Sequence, residues 1–149
     1  MRRVKQNRIG MVLALAGIVA ILAIKNTAGN AQLRLKSKEC GNQMLRVSVA
    51  TLMWMQLDRN RHFPKDFVQL FDVLGPPKSL KCPSDTKRVP IYDWQQYRPE
   101  NVTYLVINPG ISLTNTNSIF VICPIHGHVI KTDGIVYDKD GKRFERGTW

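Results

Sequence analysis

Ile9 to Ile24 reads IGMVLALAGIVAILAI, sixteen residues without a charge between Arg8 and Lys25. As a helix this run spans about 24 Å at ~1.5 Å per residue. A bilayer core is ~30 Å thick, and Arg8 and Lys25 can snorkel to lengthen the apolar stretch. Basic residues crowd it: residues 1–38 hold eight Lys/Arg and no acid, so the net charge of +11 shrinks to +3 over residues 39–149. The excess charge therefore flanks an apolar segment, where Lys and Arg set membrane topology, and the body lacks the basic surface that nucleic-acid binding needs. Residues 1–10 read as a basic leader or cytoplasmic tail and 11–30 as an anchor helix. Arg2, Arg3, Lys5 and Arg8 on one side nearly balance Lys25, Arg34, Lys36 and Lys38 on the other; the first set clusters closer to the run, which favours the N-terminus in the cytoplasm and the body across the membrane. Two cleavage points are legible. A short basic leader ends at Gly10, before Met11. Alternatively, the small-residue site Gly29-Asn30-Ala31 would release a soluble, secreted binding domain beginning at Gln32.

From Ala31 to Asp58 there is no proline, and apolar residues recur at helical spacing. Cys40, Met44, Val47 and Trp54 form one face, which Leu45, Val49, Leu52 and Met55 widen. The spacing predicts an amphipathic helix over 31–62, with Gly41 inside it at ~1 kcal/mol relative to Ala and Asn60 and Phe63-Pro64 at its exit. Residues 63–149 then form a globular head. Asp66–Leu74 predicts a short helix capped by Asp66 and stopped by Gly75-Pro76-Pro77. Lys78–Pro99, rich in proline and polar residues, predicts a long loop. Val102–Ile107, Ile119–Cys123, His128–Lys131, Ile135–Tyr137 and Lys142–Glu145 are strand candidates, separated in part by Asn108-Pro109-Gly110, Asp133-Gly134 and Asp140-Gly141. The Asp-Gly pairs suit type I′ hairpin turns. The fold class is α+β: a long N-terminal helix, its first half membrane-inserted, followed by a small head with an antiparallel sheet.

Candidate chemistry gathers at Cys40, Cys82 and Cys123. Cys82 and Cys123 each precede a proline where a loop meets a β run. In an exported head they suit a disulfide closing 42 residues, worth roughly 4 kcal/mol in the chain-entropy picture. Cys40, on the apolar helix face, reads as a buried thiol. Cys123-Pro124-Ile125-His126-Gly127-His128 offers soft ligands in Cys123, His126 and His128, with Cys82 as the remaining fourth; without a second close pair it reads as turn histidines beside a disulfide, and no metal or other cofactor is expected. Asp133, Asp138 and Asp140 lack the spacing of a calcium loop and read as solvated turns. No phosphate loop, metalloprotease helix or nucleophile elbow occurs, and the chain does not read as an enzyme or as a binder of a small-molecule substrate.

Taken in order, four stretches resemble the bacterial type IV pilin-like proteins, in particular the pseudopilins of type II secretion. Gly10 opens an apolar helix containing AGIVAILAI, similar to the pilin membrane segment. Cys40-Gly41-Asn42-Gln43-Met44-Leu45-Arg46 resembles a Cys-x-Asn-Asn-Leu-Arg stretch on the amphipathic half of the helix. Asp58 through His62-Phe63-Pro64 resembles an Asp-x-x-Gly-x-Phe-Pro helix exit. Leu80-Lys81-Cys82-Pro83-Ser84-Asp85, then Ile122 to Gly127 and Asp133-Gly134, resemble the Cys-Pro-x-Asp and His-Gly…Asp-Gly elements of such heads. The chain departs from the pattern at Leu15, where the family's glutamate of the fifth mature residue would fall, and in a shorter helix between Gly10 and Cys40. No counterpart of the major pseudopilins' calcium loop is present. The resemblance implies processing between Gly10 and Met11, a single-pass inner-membrane protein with a periplasmic or extracellular head, and a minor structural subunit of a type II secretion or type IV pilus-like assembly. Its partners would be membrane lipid, other pilin-like subunits and secretion-system proteins.

Overall fold

The computed structural model describes residues 3–57, 62–115 and 117–145, and for residues 3–26 and 28 the helical backbone alone. The chain divides into two compact units, Met1–Leu35 and Lys36–Trp149. Helix α1, Arg3–Leu57, begins in the first and ends in the second. Among the described residues no helix is long and apolar enough to cross a membrane. The side chains of Ile9–Ile24 lie outside the described residues, as do those of Gly10 and Met11. In the first unit the side chains of Leu33 and Leu35 are exposed.

The second unit is α+β. Its sheet is an antiparallel meander, β1 (Leu105–Val106), β2 (Ile119–Ile122), β3 (Val129–Lys131) and β4 (Val136–Tyr137), in spatial order 1-2-3-4. The register pairs Leu105 with Ile122, Val121 with Ile130, and Ile130 with Val136. A register shift between Ile119 and Val121 breaks the in–out alternation, as a bulge does, so the consecutive Phe120 and Val121 are both buried. Phe120 stacks on Phe63 at 4.8 Å between ring centroids. Around this pair the core gathers Met44, Val47, Leu70, Leu80, Tyr104, Ile130 and Val136.

The buried stripe of α1 is narrower than the periodicity suggests. Cys40, Met44, Val47 and Thr51 are sealed, following i, i+4, i+7, i+11. Met55 is buried and Leu45 and Trp54 pack at the margin, but Val49 and Leu52 are exposed. Polar residues take the places that those two were expected to fill, each with a partner: Ser48 Oγ donates to the Gly134 carbonyl at 2.6 Å and Thr51 Oγ1 to the Val47 carbonyl at 2.8 Å. Gly41 has a packing reason, since a Cβ there would enter the Phe144 ring.

The helix exit at Asn60 lies outside the described residues. Past it, the Phe63 N–H donates to the Ile111 carbonyl at 2.8 Å, tying the exit to the β1–β2 loop. Asp66–Leu74 splits into a 3-10 turn, Val68–Leu70, and a one-turn helix α2, Phe71–Leu74. Asp66 is not at the N-cap, which Phe67 occupies without a side-chain bond, but its Oδ1 accepts the Gln69 N–H at 3.2 Å. The stretch after Gly75 is a loop with 3-10 turns at Pro77–Leu80, Trp94–Gln96 and Pro99–Asn101. Lys142–Glu145 contributes a single bridge, Arg143 to Tyr137, instead of a strand. At Asp133-Gly134 only the glycine has positive φ (74°). The Gly134 N–H donates to the Lys131 carbonyl and the Lys131 N–H to the Ile135 carbonyl, so the connection is a three-residue hairpin loop with a left-handed glycine, not type I′.

Candidate functional site: a cysteine and histidine cluster

Three segments of the second unit converge on one point. Helix α1 brings Cys40, the loop after the Pro77–Leu80 turn brings Cys82, and the end of β2 brings Cys123 and, three residues on, His126. The sulfurs of the three cysteines and a ring nitrogen of His126 all lie within 4.8 Å of one another. The three cysteines are buried and free. The proximity expected of Cys82 and Cys123 is therefore present, with Cys40 as a third member. His128, the other ligand candidate, points elsewhere. Its Nε2 lies 3.0 Å from the Ser37 carbonyl, to which its N–H donates, and its ring packs edge-on to Phe144. Burial holds its pKa below the ordinary imidazole value. The donor set is Cys40, Cys82, Cys123 and His126, where the sequence suggested Cys82, Cys123, His126 and His128.

Local backbone explains the convergence. Cys123 and His128 close a hairpin loop: the Cys123 N–H donates to the His128 carbonyl and the Gly127 N–H to the Cys123 carbonyl, both at 2.8 Å. Gly127 supplies the positive φ (71°) that this turn requires. His126 thus faces back toward Cys123, while His128 leads into β3. On the other loop, the Asp85 N–H donates to the Cys82 carbonyl at 2.9 Å, and the Cys82 N–H donates to Thr103 Oγ1 at 3.1 Å.

Asp85, buried, anchors that loop. Its Oδ2 accepts from Thr103 Oγ1 and from the Arg88 guanidinium, both at 2.7 Å, and its Oδ1 accepts the Lys87 and Arg88 N–H groups. Burial alone would raise its pKa, but the Thr103 and Arg88 side chains and the two N–H donors outweigh it and hold the carboxyl well below the usual carboxylate range. The sequence offered Asp85 only as a letter in a motif; nothing local marks a carboxylate that will accept four hydrogen bonds.

The histidine is oriented from both ring nitrogens. Nδ1 lies 3.3 Å from Cys82 Sγ and Nε2 lies 3.1 Å from Ser84 Oγ. An Nε2–H donated to Ser84 leaves the Nδ1 lone pair facing the sulfurs. Ser84 also donates its own N–H to Cys82 Sγ at 3.4 Å. Tyr104 closes the site from the sheet side, its hydroxyl 3.5 Å from Cys40 Sγ and donating to Gln43 Oε1 at 2.9 Å.

The sulfurs do not share charge equally. Cys123 is held far below the ordinary thiol value by the Cys40 and Cys82 side chains, against burial, and further by the N–H groups of His126 and Ile125. The Cys123 side chain, followed by burial, raises Cys82 to about 11. Cys40 is raised still further, by Cys123, Cys82 and burial in that order. The most readily ionised of the three thiols is therefore Cys123. Chemically, the pocket offers three buried soft sulfur donors and one half-buried imidazole. Comparison with protein-family models, with curated proteins and with solved structures finds no match to this chain.

Proposed function

We propose that this protein is a membrane-anchored, pilin-like structural subunit. Residues 11–30 hold it in the bacterial inner membrane with the N-terminus in the cytoplasm. Residues 31–62 carry the helix into the head, residues 63–149 form the head on the periplasmic or extracellular side, and Gly10 and Met11 flank the processing site. One observation carries the reading: a single element, α1, contains both the apolar run Ile9–Ile24 and the residues Cys40, Met44 and Val47 around which a small antiparallel α+β head is built. The mechanism is assembly. Apolar helix surfaces pack on one another or remain in lipid, and heads are displayed around them. Its partners are membrane lipid and other pilin-like subunits of a type II secretion or type IV pilus-like assembly.

The mass of the mature protein from its native host, taken separately from membrane and soluble fractions, tests this. A membrane-bound species beginning at Met11 is the expected result. A soluble species beginning at Gln32 would overturn the proposal and leave a secreted binding domain in its place.

A further inference from the structure

We infer that Cys40, Cys82, Cys123 and His126 form a structural zinc site that ties helix α1, the Cys82 loop and the β2–β3 hairpin together. The four donors come from three segments far apart in sequence, and their atoms lie within 4.8 Å of one another. A tetrahedral Zn(II) with Zn–S of ~2.3 Å and Zn–N of ~2.0–2.1 Å sets sulfurs about 3.8 Å apart and sulfur and nitrogen about 3.5 Å apart. The Cys82 Sγ to His126 Nδ1 separation of 3.3 Å is close to that edge. A disulfide would instead draw two sulfurs to ~2.05 Å and leave the third sulfur and the imidazole with nothing to bind.

A second observation is independent of the four donors. Ligating imidazoles typically have their other ring nitrogen fixed by a hydrogen bond, which sets the tautomer and aims the lone pair. Ser84 Oγ stands 3.1 Å from His126 Nε2 and does that here. One sulfur has a backbone donor of its own: the Ser84 N–H points at Cys82 Sγ at 3.4 Å. Three sulfurs and one nitrogen select Zn(II) among divalent ions by softness and by the absence of any geometric preference of its own. Cys40, Cys82 and Cys123 are each wholly buried, and with four protein donors no coordination position remains for water or substrate, so the ion is structural. Binding displaces the remaining thiol protons and requires no oxidant or reductant.

The full-length chain, purified in detergent without chelator, tests this by elemental analysis and thiol alkylation. One equivalent of zinc is expected, with all three cysteines protected from iodoacetamide in the native protein and exposed after a strong chelator strips the ion. Co(II) in place of zinc should give the intense visible bands of a tetrahedral thiolate site. His126→Cys should retain one equivalent with a shifted Co(II) spectrum, whereas Cys40→Ser should lose stoichiometric binding. Ser84→Ala should weaken zinc by about 10- to 100-fold, and His128→Asn should leave it in place. A Cys82–Cys123 disulfide with no bound ion would overturn the inference, as would one equivalent of iron or copper, or zinc whose retention follows His128 and not Cys40.

Discussion

Gly41→Ala should destabilise this protein, against the ordinary expectation for a helix interior. Alanine is preferred over glycine there by ~1 kcal/mol, and Gly41 lies well inside α1. Its Cβ, however, would enter the Phe144 ring. That ring is half-buried over the helix, lies edge-on to His128 with centroids 5.5 Å apart, and belongs to a residue whose N–H donates to the Val136 carbonyl at 2.8 Å. The backbone holds it, so the side chain must swing out or the helix must shift. Forcing an extra methyl into a packed site costs ~1–3 kcal/mol, so the net loss for Gly41→Ala is about 1 kcal/mol. In a Phe144→Ala background the obstacle is gone, and the same substitution should stabilise by ~1 kcal/mol. The sign thus reverses, with a coupling of about 2 kcal/mol between the two positions. Denaturant unfolding of the four full-length proteins in detergent, followed by tryptophan fluorescence, measures it. If Gly41→Ala stabilises equally in both backgrounds, the ring does not rest on Gly41 and the packing argument fails.

Three further substitutions probe how the head is held together, each read by the same unfolding assay. Phe63→Ala should cost about 3–5 kcal/mol, because its buried ring stacks on Phe120 at 4.8 Å; a loss under ~1 kcal/mol would place that pair outside the core. Asp85→Asn should cost about 3 kcal/mol, since it removes the charge beside Arg88 and two acceptor lone pairs from a buried hub. A neutral outcome would show that the Cys82 loop does not depend on the carboxylate. Ser48→Ala should cost about 1–2 kcal/mol by stranding the Gly134 carbonyl; no change would mean that this carbonyl finds another donor.

Much of the architecture was legible because it follows from local pattern. The helical stripe Cys40, Met44, Val47 is written at the right spacing, and the meander is written in β-branched runs separated by turn residues. Its width was not legible. Val49 and Leu52 are apolar, yet which helix positions are covered depends on how broad the docked head is, and that is set by the sheet. Strand lengths are shorter than the pattern predicts for a similar reason: Thr103 lies in the run predicted as the first strand, but its N–H donates to the Leu80 carbonyl at 3.1 Å, and pairing begins only at Leu105.

The candidate site was half legible. Two Cys-Pro pairs at loop–strand junctions brought Cys82 and Cys123 together by inference, and His126 was marked by its place after Cys123. Cys40 was not, because its position on an apolar helix face already accounts for its burial. His128 was an equally good ligand on sequence grounds. Only the left-handed turn at Gly127 separates the two imidazoles, aiming one at the sulfurs and the other at Ser37.

The size of the head explains why such a cluster is worth building. Its strands are two to four residues long, and the Gly75–Asn101 region is loop and 3-10 turns, so little regular hydrogen bonding joins that region to the rest. Small domains with thin cores commonly need a covalent or metal staple. A Cys82–Cys123 disulfide would fasten the loop to the sheet but leave the helix held by packing and a few hydrogen bonds. An ion bound by Cys40, Cys82, Cys123 and His126 would fasten all three within the core that also holds Met44, Leu80 and Phe120. Cys40 is the residue that separates the two solutions: dispensable under a disulfide, indispensable under a metal.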